Sequence, residues 1–230
     1  MTIRALIFDF DGLLMDTETT LLESWRWEWR RHGLELDPAG FFADHGGDVN
    51  ELRYAALAAA VGATYDQAAS HRLRQAYRLE LNTALTPAPG VVAWLDRAGE
   101  LGLRCAVASS SAIAHVGSML ERAGLRDRFE VLATGDEVDA HKPDPAVYRL
   151  ALHRLDLDPG LALAFEDTPH GVAAAQAAGL RCVAVPNPHA DHARFGAADL
   201  LLTSAADLTL DEVISTIKPP SAYPHDSLPG

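Results

Sequence analysis

Five short apolar runs are spaced along the chain, each bounded by polar or turn-forming residues. None shows the three-to-four-residue spacing of an amphipathic helix, so each is predicted to be a buried β-strand. The predicted strands are residues 3–8, 103–108, 129–133, 161–165 and 181–185.

Helical stretches with recognisable start and stop signals lie between the later strands. Asp144 and Thr168 each precede a proline, which is the pattern of an N-cap followed by proline at the first helical position. Gly124 and Gly179 follow helical stretches and can adopt the left-handed conformation that ends a helix. Strand and helix thus alternate from about residue 91 onward, which predicts a parallel sheet with helices on both faces.

The interval between the first two predicted strands, residues 9–102, is far longer than one crossover helix requires. Its pattern is helical, with stretches at 17–32, from after Asp48 to 61, and at about 65–84. We therefore predict an inserted all-helical cap within this interval.

The resulting fold prediction is an α/β protein with a Rossmann-like core. Residues 1–15 and 87–218 are predicted to form this core, and residues 16–86 the cap. Residues 219–230 lack any periodicity and are predicted to be disordered.

Composition narrows the possible partners. The net charge of −13 provides no basic stripe for a phosphate backbone, so we expect no nucleic-acid partner. No stretch approaches the roughly 20 apolar residues of a membrane span, and the first apolar run is too short for a signal peptide. We expect a cytoplasmic protein. A phosphate-bearing substrate would need a local cation within this anionic surface.

Acidic residues follow the first predicted strand directly. Asp9 and Asp11 stand where that strand ends. Ligands of open parallel sheets bind at the carboxyl ends of the strands, so the position of this pair indicates chemistry more strongly than its composition does.

Polar residues also follow the next three strands. Ser109 and Ser110 follow the second strand, Lys142 comes after the third, and Glu166 and Asp167 follow the fourth. Taken singly, each has an ordinary explanation as a helix cap, a solvated lysine or acids favoured by a helix dipole. Together they supply what phosphoryl transfer requires: a nucleophile, an acid/base, oxygen ligands for a divalent cation and a positive charge.

These residues carry a resemblance to a known family. Residues 9–18 read D-F-D-G-L-L-M-D-T-E, and Ser109, Lys142-Pro143 and Glu166-Asp167-Thr168 with Gly171 follow in order. In this order and spacing the chain resembles the haloacid dehalogenase superfamily over nearly its whole length. It looks most like the helical-cap branch that includes β-phosphoglucomutases and many small-metabolite phosphatases.

The resemblance implies a role for each of these residues. Asp9 would attack phosphorus, and Asp11 would protonate the leaving oxygen and later deprotonate water. Ser109 and Lys142 would bind the phosphoryl group. Dehalogenases of the superfamily lack an acid two residues after the nucleophile, so Asp11 favours phosphoryl transfer over dehalogenation.

The resemblance also implies a cofactor, Mg²⁺. The Asp9 carboxylate, the Asp11 backbone carbonyl and Asp167 would hold the ion, with Glu166 as a further ligand or a neighbouring acid. The expected activity is that of a phosphoric monoester hydrolase.

The substrate would be a small phosphorylated metabolite such as a sugar phosphate or a nucleotide-like monophosphate, selected mainly by the cap. His45, Asp48 and Asn50 lie where related enzymes present a specificity loop, and Ser110 is a further candidate contact. Asp48 has an equally good role as the cap of the next helix. The sequence leaves the oligomeric state open.

Two other functions fit parts of the pattern. A β-phosphoglucomutase-type mutase resembles this chain but carries an arginine where Val49 stands and a histidine near Leu21. A phospho-receiver signalling module shares an acid cluster, a Ser/Thr and a Lys-Pro, but has about half this length and no helical insertion.

Overall fold

The computed structural model describes residues 3–42 and 49–217. Within these ranges, six parallel strands form one sheet in the order β3-β2-β1-β4-β5-β6. The five predicted strands are all present, and the two-residue sixth strand is too short to leave a sequence pattern. The strands are β1 (Ala5–Phe8), β2 (Arg104–Ala108), β3 (Val131–Ala133), β4 (Ala162–Glu166), β5 (Arg181–Ala184) and β6 (Leu200–Leu201).

Helices flank this sheet and fill the interval between β1 and β2. Over the described residues the α-helices are α1 (Thr17–Arg31), α2 (Asn50–Val61), α3 (Gln67–Thr83), α4 (Val91–Glu100), α5 (Ile113–Arg122), α6 (Ala146–Leu155), α7 (Pro169–Ala177) and α8 (Leu210–Thr216). The alternation of strand and helix confirms the predicted α/β class.

The predicted helix start is confirmed for α7 and is one residue early for α6. Thr168 caps α7 through its hydroxyl, which accepts the Gly171 N–H at 3.1 Å, and Pro169 is the first helical residue, as predicted. The predicted start of α6 at Pro145 is one residue early. The Asp144 carboxylate accepts the N–H of Ala146, where the helix begins.

Strand β1 is covered on both faces. Leu6 and Phe8 face the layer of α4, α5 and α8, while Ala5 and Ile7 face α6 and α7. All four residues are fully buried, which explains the continuous apolar run in the sequence. Burying each large side chain of this kind contributes roughly 1.5–3 kcal/mol, so the sheet centre is a rigid support.

The predicted cap has a small core of its own. Helix α1 packs along α3, and Leu22, Trp25 and Tyr54 are buried together. The guanidinium of buried Arg74 lies 4.3 Å from the Trp25 ring centroid and donates to the Tyr54 hydroxyl at 2.9 Å. The described part of the interval between β1 and β2 is therefore mainly helical, as its pattern predicted.

Some predictions fall on residues outside the described ranges. His45, Asp48 and the segment 219–230 are among them. In residues 3–42 and 49–217, no helix combines the length and apolar character needed to cross a bilayer.

Candidate active site

The strand order creates a crevice beside β1. From β1 the chain runs outward through β2 to β3 and then returns to β4, so β1 lies between β2 and β4. This is a topological switch point, the usual ligand site of an open parallel sheet. Phe8 of β1 pairs with Phe165 of β4, so Asp9 and Glu166 emerge at the same height, followed by Asp167.

A cavity of about 480 Å³ lies between this edge and the predicted cap, a size suited to a small molecule. Seven residues predicted from the sequence line it, namely Asp9, Asp11, Asn50, Ser109, Ser110, Lys142 and Asp167. Leu21 and Val49 also line it, on the side of the predicted cap. The structure therefore brings together residues that are far apart in the chain.

Lys142 connects the predicted nucleophile to the end of β4. Its ammonium donates to the Asp9 carboxylate, to Oε1 of Glu166 at 2.6 Å and to the Ala108 carbonyl at 2.9 Å. Burial alone would lower the pKa of Lys142, but the charges of Asp9 and Glu166 outweigh it and raise that pKa. The lysine is thus a fixed positive charge beside Asp9.

Glu166 lies beneath the cavity and is fully buried. Its Oε1 accepts Lys142 and the Tyr148 hydroxyl at 2.6 and 2.7 Å. Its Oε2 accepts the Asp167 N–H at 3.1 Å and the Thr168 hydroxyl at 3.4 Å. Because these donors occupy both oxygens, we favour the neighbouring-acid role for Glu166 over that of a metal ligand.

Three buried carboxylates converge at one point. Asp9, Glu166 and Asp167 each offer an oxygen within 4.8 Å of the others. Burial, opposed by Lys142 and reinforced by Glu166, raises the pKa of Asp9 to about 8. Burial and then the charge of Asp9 raise the pKa of Asp167 well above its usual range. Lys142 supplies only one positive charge for these three carboxylates, so negative charge remains uncompensated. A set of ligands made up only of oxygen atoms suits a hard divalent cation.

Asp167 is held by one neighbour and given room by another. The Asn187 amide donates to its Oδ2 at 2.8 Å. Gly12, with φ of 83°, leaves space for that same oxygen, since a Cβ there would lie 2.0 Å from it. Asn187, which follows β5, is a site residue that the sequence motifs did not indicate; its signal is the same as for the others, a polar residue just after a strand.

The same loop reaches the predicted cap. The His189 N–H donates to Oδ1 of Asn187 at 2.9 Å, and the His189 imidazole lies 2.8 Å from the Thr19 hydroxyl. The ring also stacks on Phe42, with centroids 4.8 Å apart. One short loop therefore links the Asp167 carboxylate to the predicted cap.

Asp11 is bound by three side chains that sequence reasoning did not single out. Its Oδ1 accepts the Thr17 hydroxyl at 2.8 Å and lies 3.2 Å from Nε2 of His115, and its Oδ2 accepts the Ser111 hydroxyl at 2.6 Å. Burial favours the protonated acid, but hydrogen bonds from His115, Ser111 and Thr17 hold the pKa of Asp11 below its ordinary value. Without a bound ion, the pKa of Asp9 is thus raised and that of Asp11 lowered. This is the reverse of the order that a nucleophile and a general acid require, so the charges brought by a cation and an anionic substrate would have to invert it.

The opposite wall of the cavity carries positive charge. Arg53 and Arg78 of the predicted cap line it, together with Glu18. The Arg53 guanidinium lies 3.9 Å from the Phe41 ring centroid and donates to the Phe41 carbonyl at 2.9 Å. Burial and the charge of Asp11 raise the pKa of Glu18 to about 7, although both arginines oppose the shift.

Arg53 provides a cation near position 49, where the mutases carry arginine. Arg53 lies one helical turn beyond Val49, so the two residues share a face of α2. A cation therefore lines the cavity even though position 49 carries valine.

The chain is similar to several known proteins. The family model described as haloacid dehalogenase-like hydrolase matches residues 6–185. YhcW of Bacillus subtilis is 39% identical, covering 90% of this chain and 94% of its own. Fructose-1-phosphate phosphatase YqaB of Escherichia coli is 31% identical, covering 78% and 95%. A CbbY variant from Rhodobacter sphaeroides, solved with xylulose-1,5-bisphosphate, superposes with a TM-score of 0.74 at 31% identity, covering 90% and 96%.

Proposed function

We propose, from the premise that the chain belongs to the haloacid dehalogenase-like hydrolase family, that it is a magnesium-dependent phosphatase working through an aspartyl-phosphate at Asp9. The chain is a phosphoric monoester hydrolase of that superfamily, as its motifs predicted. The observation that carries the finer proposal is that Asp9, Ser109, Lys142 and Asp167 line one cavity. A phospho-receiver signalling module, the alternative from another functional class, belongs to a different family and is therefore not favoured.

In the first step, a carboxylate oxygen of Asp9 forms a bond to phosphorus while the bond from phosphorus to the leaving oxygen breaks. Lys142 and Ser109 hold the phosphoryl oxygens, which carry the developing charge. Asp11 donates its proton to the leaving oxygen, so an alcohol departs.

In the second step, water attacks the phosphorus of the aspartyl-phosphate. Asp11, now ionised, takes a proton from the water. The bond between phosphorus and Asp9 breaks, which releases inorganic phosphate and restores the carboxylate. Asp11 ends the cycle protonated and ready for another substrate.

The donor set fits a magnesium ion. The carboxylates of Asp9 and Asp167, which lie within reach of one ion, would hold it. The family resemblance adds the backbone carbonyl of Asp11, and all three are hard oxygen ligands. When bound, the ion would neutralise phosphoryl charge and the charge of the buried acids. The Asn187 amide would keep Asp167 in place, and the missing side chain at Gly12 leaves room for its carboxylate.

The arginines of the cavity support phosphorylated sugars as the substrate class, with preference for a second anionic group. Arg53 and Arg78 face the acidic centre from the predicted cap, and Arg194 lines the cavity from the core. Because the protein has a net charge of −13, these arginines form a local positive region within an otherwise anionic surface, which favours an anionic substrate. The named ligands of YqaB and CbbY, fructose 1-phosphate and xylulose-1,5-bisphosphate, agree with this class.

Phosphate release from a panel of phosphorylated metabolites in Mg²⁺ tests the proposal. The panel should contain sugar phosphates with one and with two phosphate groups. We expect sugar phosphates to be the best substrates. Release from none of them, and none from p-nitrophenyl phosphate, would contradict the function.

A matched pair of variants tests the substrate class. We expect Arg78→Ala to raise KM for a sugar bisphosphate more than for the matching monophosphate. Arg122→Ala removes an exposed arginine at the end of α5 and should change neither value. Equal effects of Arg78→Ala on both substrates would refute the second-anion preference.

A mutase remains the second candidate, since Arg53 supplies the cation that Val49 does not. Incubation with β-glucose 1-phosphate and a trace of the glucose bisphosphate separates the two activities. We expect free phosphate. Accumulation of glucose 6-phosphate would instead support a mutase.

A further inference from the structure

We propose that His115 is a positioning residue that, with Thr17, anchors Oδ1 of Asp11 and leaves Oδ2 as the oxygen that transfers the proton. This inference rests on the proposed function. It assigns separate tasks to the two oxygens of one carboxyl group and gives a role to a histidine outside the sequence motifs.

The two oxygens of Asp11 have different surroundings. Oδ1 has two partners, the Thr17 hydroxyl at 2.8 Å and Nε2 of His115 at 3.2 Å. Oδ2 has one described side-chain partner, the Ser111 hydroxyl at 2.6 Å. A carboxylate oxygen accepts about two hydrogen bonds, so the open position is on Oδ2.

This asymmetry suits both protonation states of Asp11. When Oδ2 carries a proton, Oδ1 behaves as a carbonyl oxygen and still accepts from Thr17 and, in the tautomer with the ring proton on Nε2, from His115. Only the contact with Ser111 must change when the Oδ2 proton passes to the leaving oxygen. Thr17 and His115 can therefore hold the carboxyl group through acid and base steps alike.

His115 is itself held in place. It lies in the first turn of α5, directly after the loop that carries Ser109 and Ser111. Its ring meets the Phe10 ring edge-on, with centroids 5.8 Å apart and planes at 90°. Phe10 is fully buried and precedes Asp11 in the chain, so the imidazole and its target share one rigid support.

A series of aryl phosphates tests the role. Phenolate is a basic leaving group that needs the Asp11 proton, whereas 2,4-dinitrophenolate leaves without it, and p-nitrophenolate lies between. The ratio kcat/KM reports the steps from free enzyme up to and including the phosphorylation of Asp9. We expect His115→Ala to lower it about tenfold or more for phenyl phosphate, the cost of one hydrogen bond to a charged group, and little for 2,4-dinitrophenyl phosphate.

Two further variants separate positioning from stability. His115→Gln places an amide N–H near the position of Nε2 and should restore part of the loss with phenyl phosphate. In an Asp11→Asn background, His115→Ala should cause no additional loss. His153→Ala, which removes an exposed histidine on α6, is the control and should behave as wild type.

An equal loss for all three aryl phosphates, or a full additional loss in the Asp11→Asn background, would overturn the positioning role while leaving the phosphatase intact. Wild-type kinetics for His115→Ala with phenyl phosphate would overturn it as well. A wild-type protein that turns over none of the three compounds would instead remove the proposed function, and this inference with it. Circular dichroism of each variant verifies that it is folded.

Discussion

Gly171 packs against Glu166 so closely that a Cβ on Gly171 would lie 1.9 Å from Cδ of the glutamate. Glu166 cannot move aside cheaply, because Lys142 and Tyr148 both donate to its Oε1. We therefore expect Gly171→Ala to lower the free energy of unfolding by about 1–3 kcal/mol, the usual cost of overpacking. Urea denaturation measures the change.

Gly117 provides the control for that substitution. It lies within α5, and a Cβ there would meet no described atom within 4 Å. Gly117→Ala should therefore raise the free energy of unfolding by about 0.5–1 kcal/mol, because alanine favours the helix. Equal destabilisation by both substitutions would show that the contact with Glu166 is not the cause.

Asp9→Asn should abolish phosphate release, because an amide oxygen cannot serve as the nucleophile. The fold should persist, since Lys142 keeps Glu166 and the Ala108 carbonyl as acceptors. Phosphate release and thermal unfolding measure the two effects. Asp211→Asn changes an exposed acid paired with Arg97 and should retain turnover. Residual activity of Asp9→Asn near the wild-type rate would refute the assigned nucleophile.

Asp11→Asn should slow turnover by about 10²–10⁴-fold, the usual contribution of a general acid/base. With 2,4-dinitrophenyl phosphate, we expect a fast release of one equivalent of dinitrophenolate and then slow turnover, because only the second step needs a base. Affinity for Mg²⁺, measured by calorimetry, should be retained, because the Asp11 ligand is a backbone carbonyl. Loss of Mg²⁺ binding would show that the side chain is a ligand.

Removal of divalent cations with EDTA should abolish turnover, and added Mg²⁺ should restore it. Ca²⁺ should restore little, because its looser coordination misplaces the Asp9 carboxylate relative to phosphorus. Phosphate release at matched concentrations of each ion makes the comparison. Full activity after exhaustive chelation would refute the role of a cation at Asp9 and Asp167.

The apparent affinity for Mg²⁺ should rise with pH. In the metal-free protein, burial raises the pKa of Asp9 to about 8, so the carboxyl is mostly protonated below that pH. The pKa of Asp167, the second carboxylate ligand, is raised as well. The ion binds the ionised forms and must displace each proton, so affinity should fall with decreasing pH by up to about tenfold per pH unit for each ligand that is protonated. Calorimetry at pH 6.5, 7.5 and 8.5 tests this, and an unchanged affinity would argue against Asp9 as a ligand.

Several parts of the fold and site are readable from the sequence because their causes are local. The continuous apolar run at β1 reflects burial on both faces, and Thr168 followed by Pro169 marks the start of α7 through its own backbone contacts. Because parallel strands end at one edge, the sequence alone predicts that Asp9, Ser109 and Lys142 belong to a shared site.

Other parts depend on how distant segments pack. Valine at position 49 distinguished the chain from the mutases, which carry arginine there, but the first turn of α2 brings Arg53 to the cavity. His115 and Asn187 carry no sequence signature, because their partners Asp11 and Asp167 are far away in the chain.

The sequence alone determined the positions of the five predicted strands to within one or two residues, the α/β class and the family, since periodicity, helix caps and motif spacing are properties of neighbouring residues. Tertiary structure alone decided which donors bind the oxygens of Glu166 and of Asp11. It also decided which arginines line the cavity opposite the acidic residues. Those features depend on distances of a few ångströms between side chains far apart in the chain. No local pattern encodes such distances.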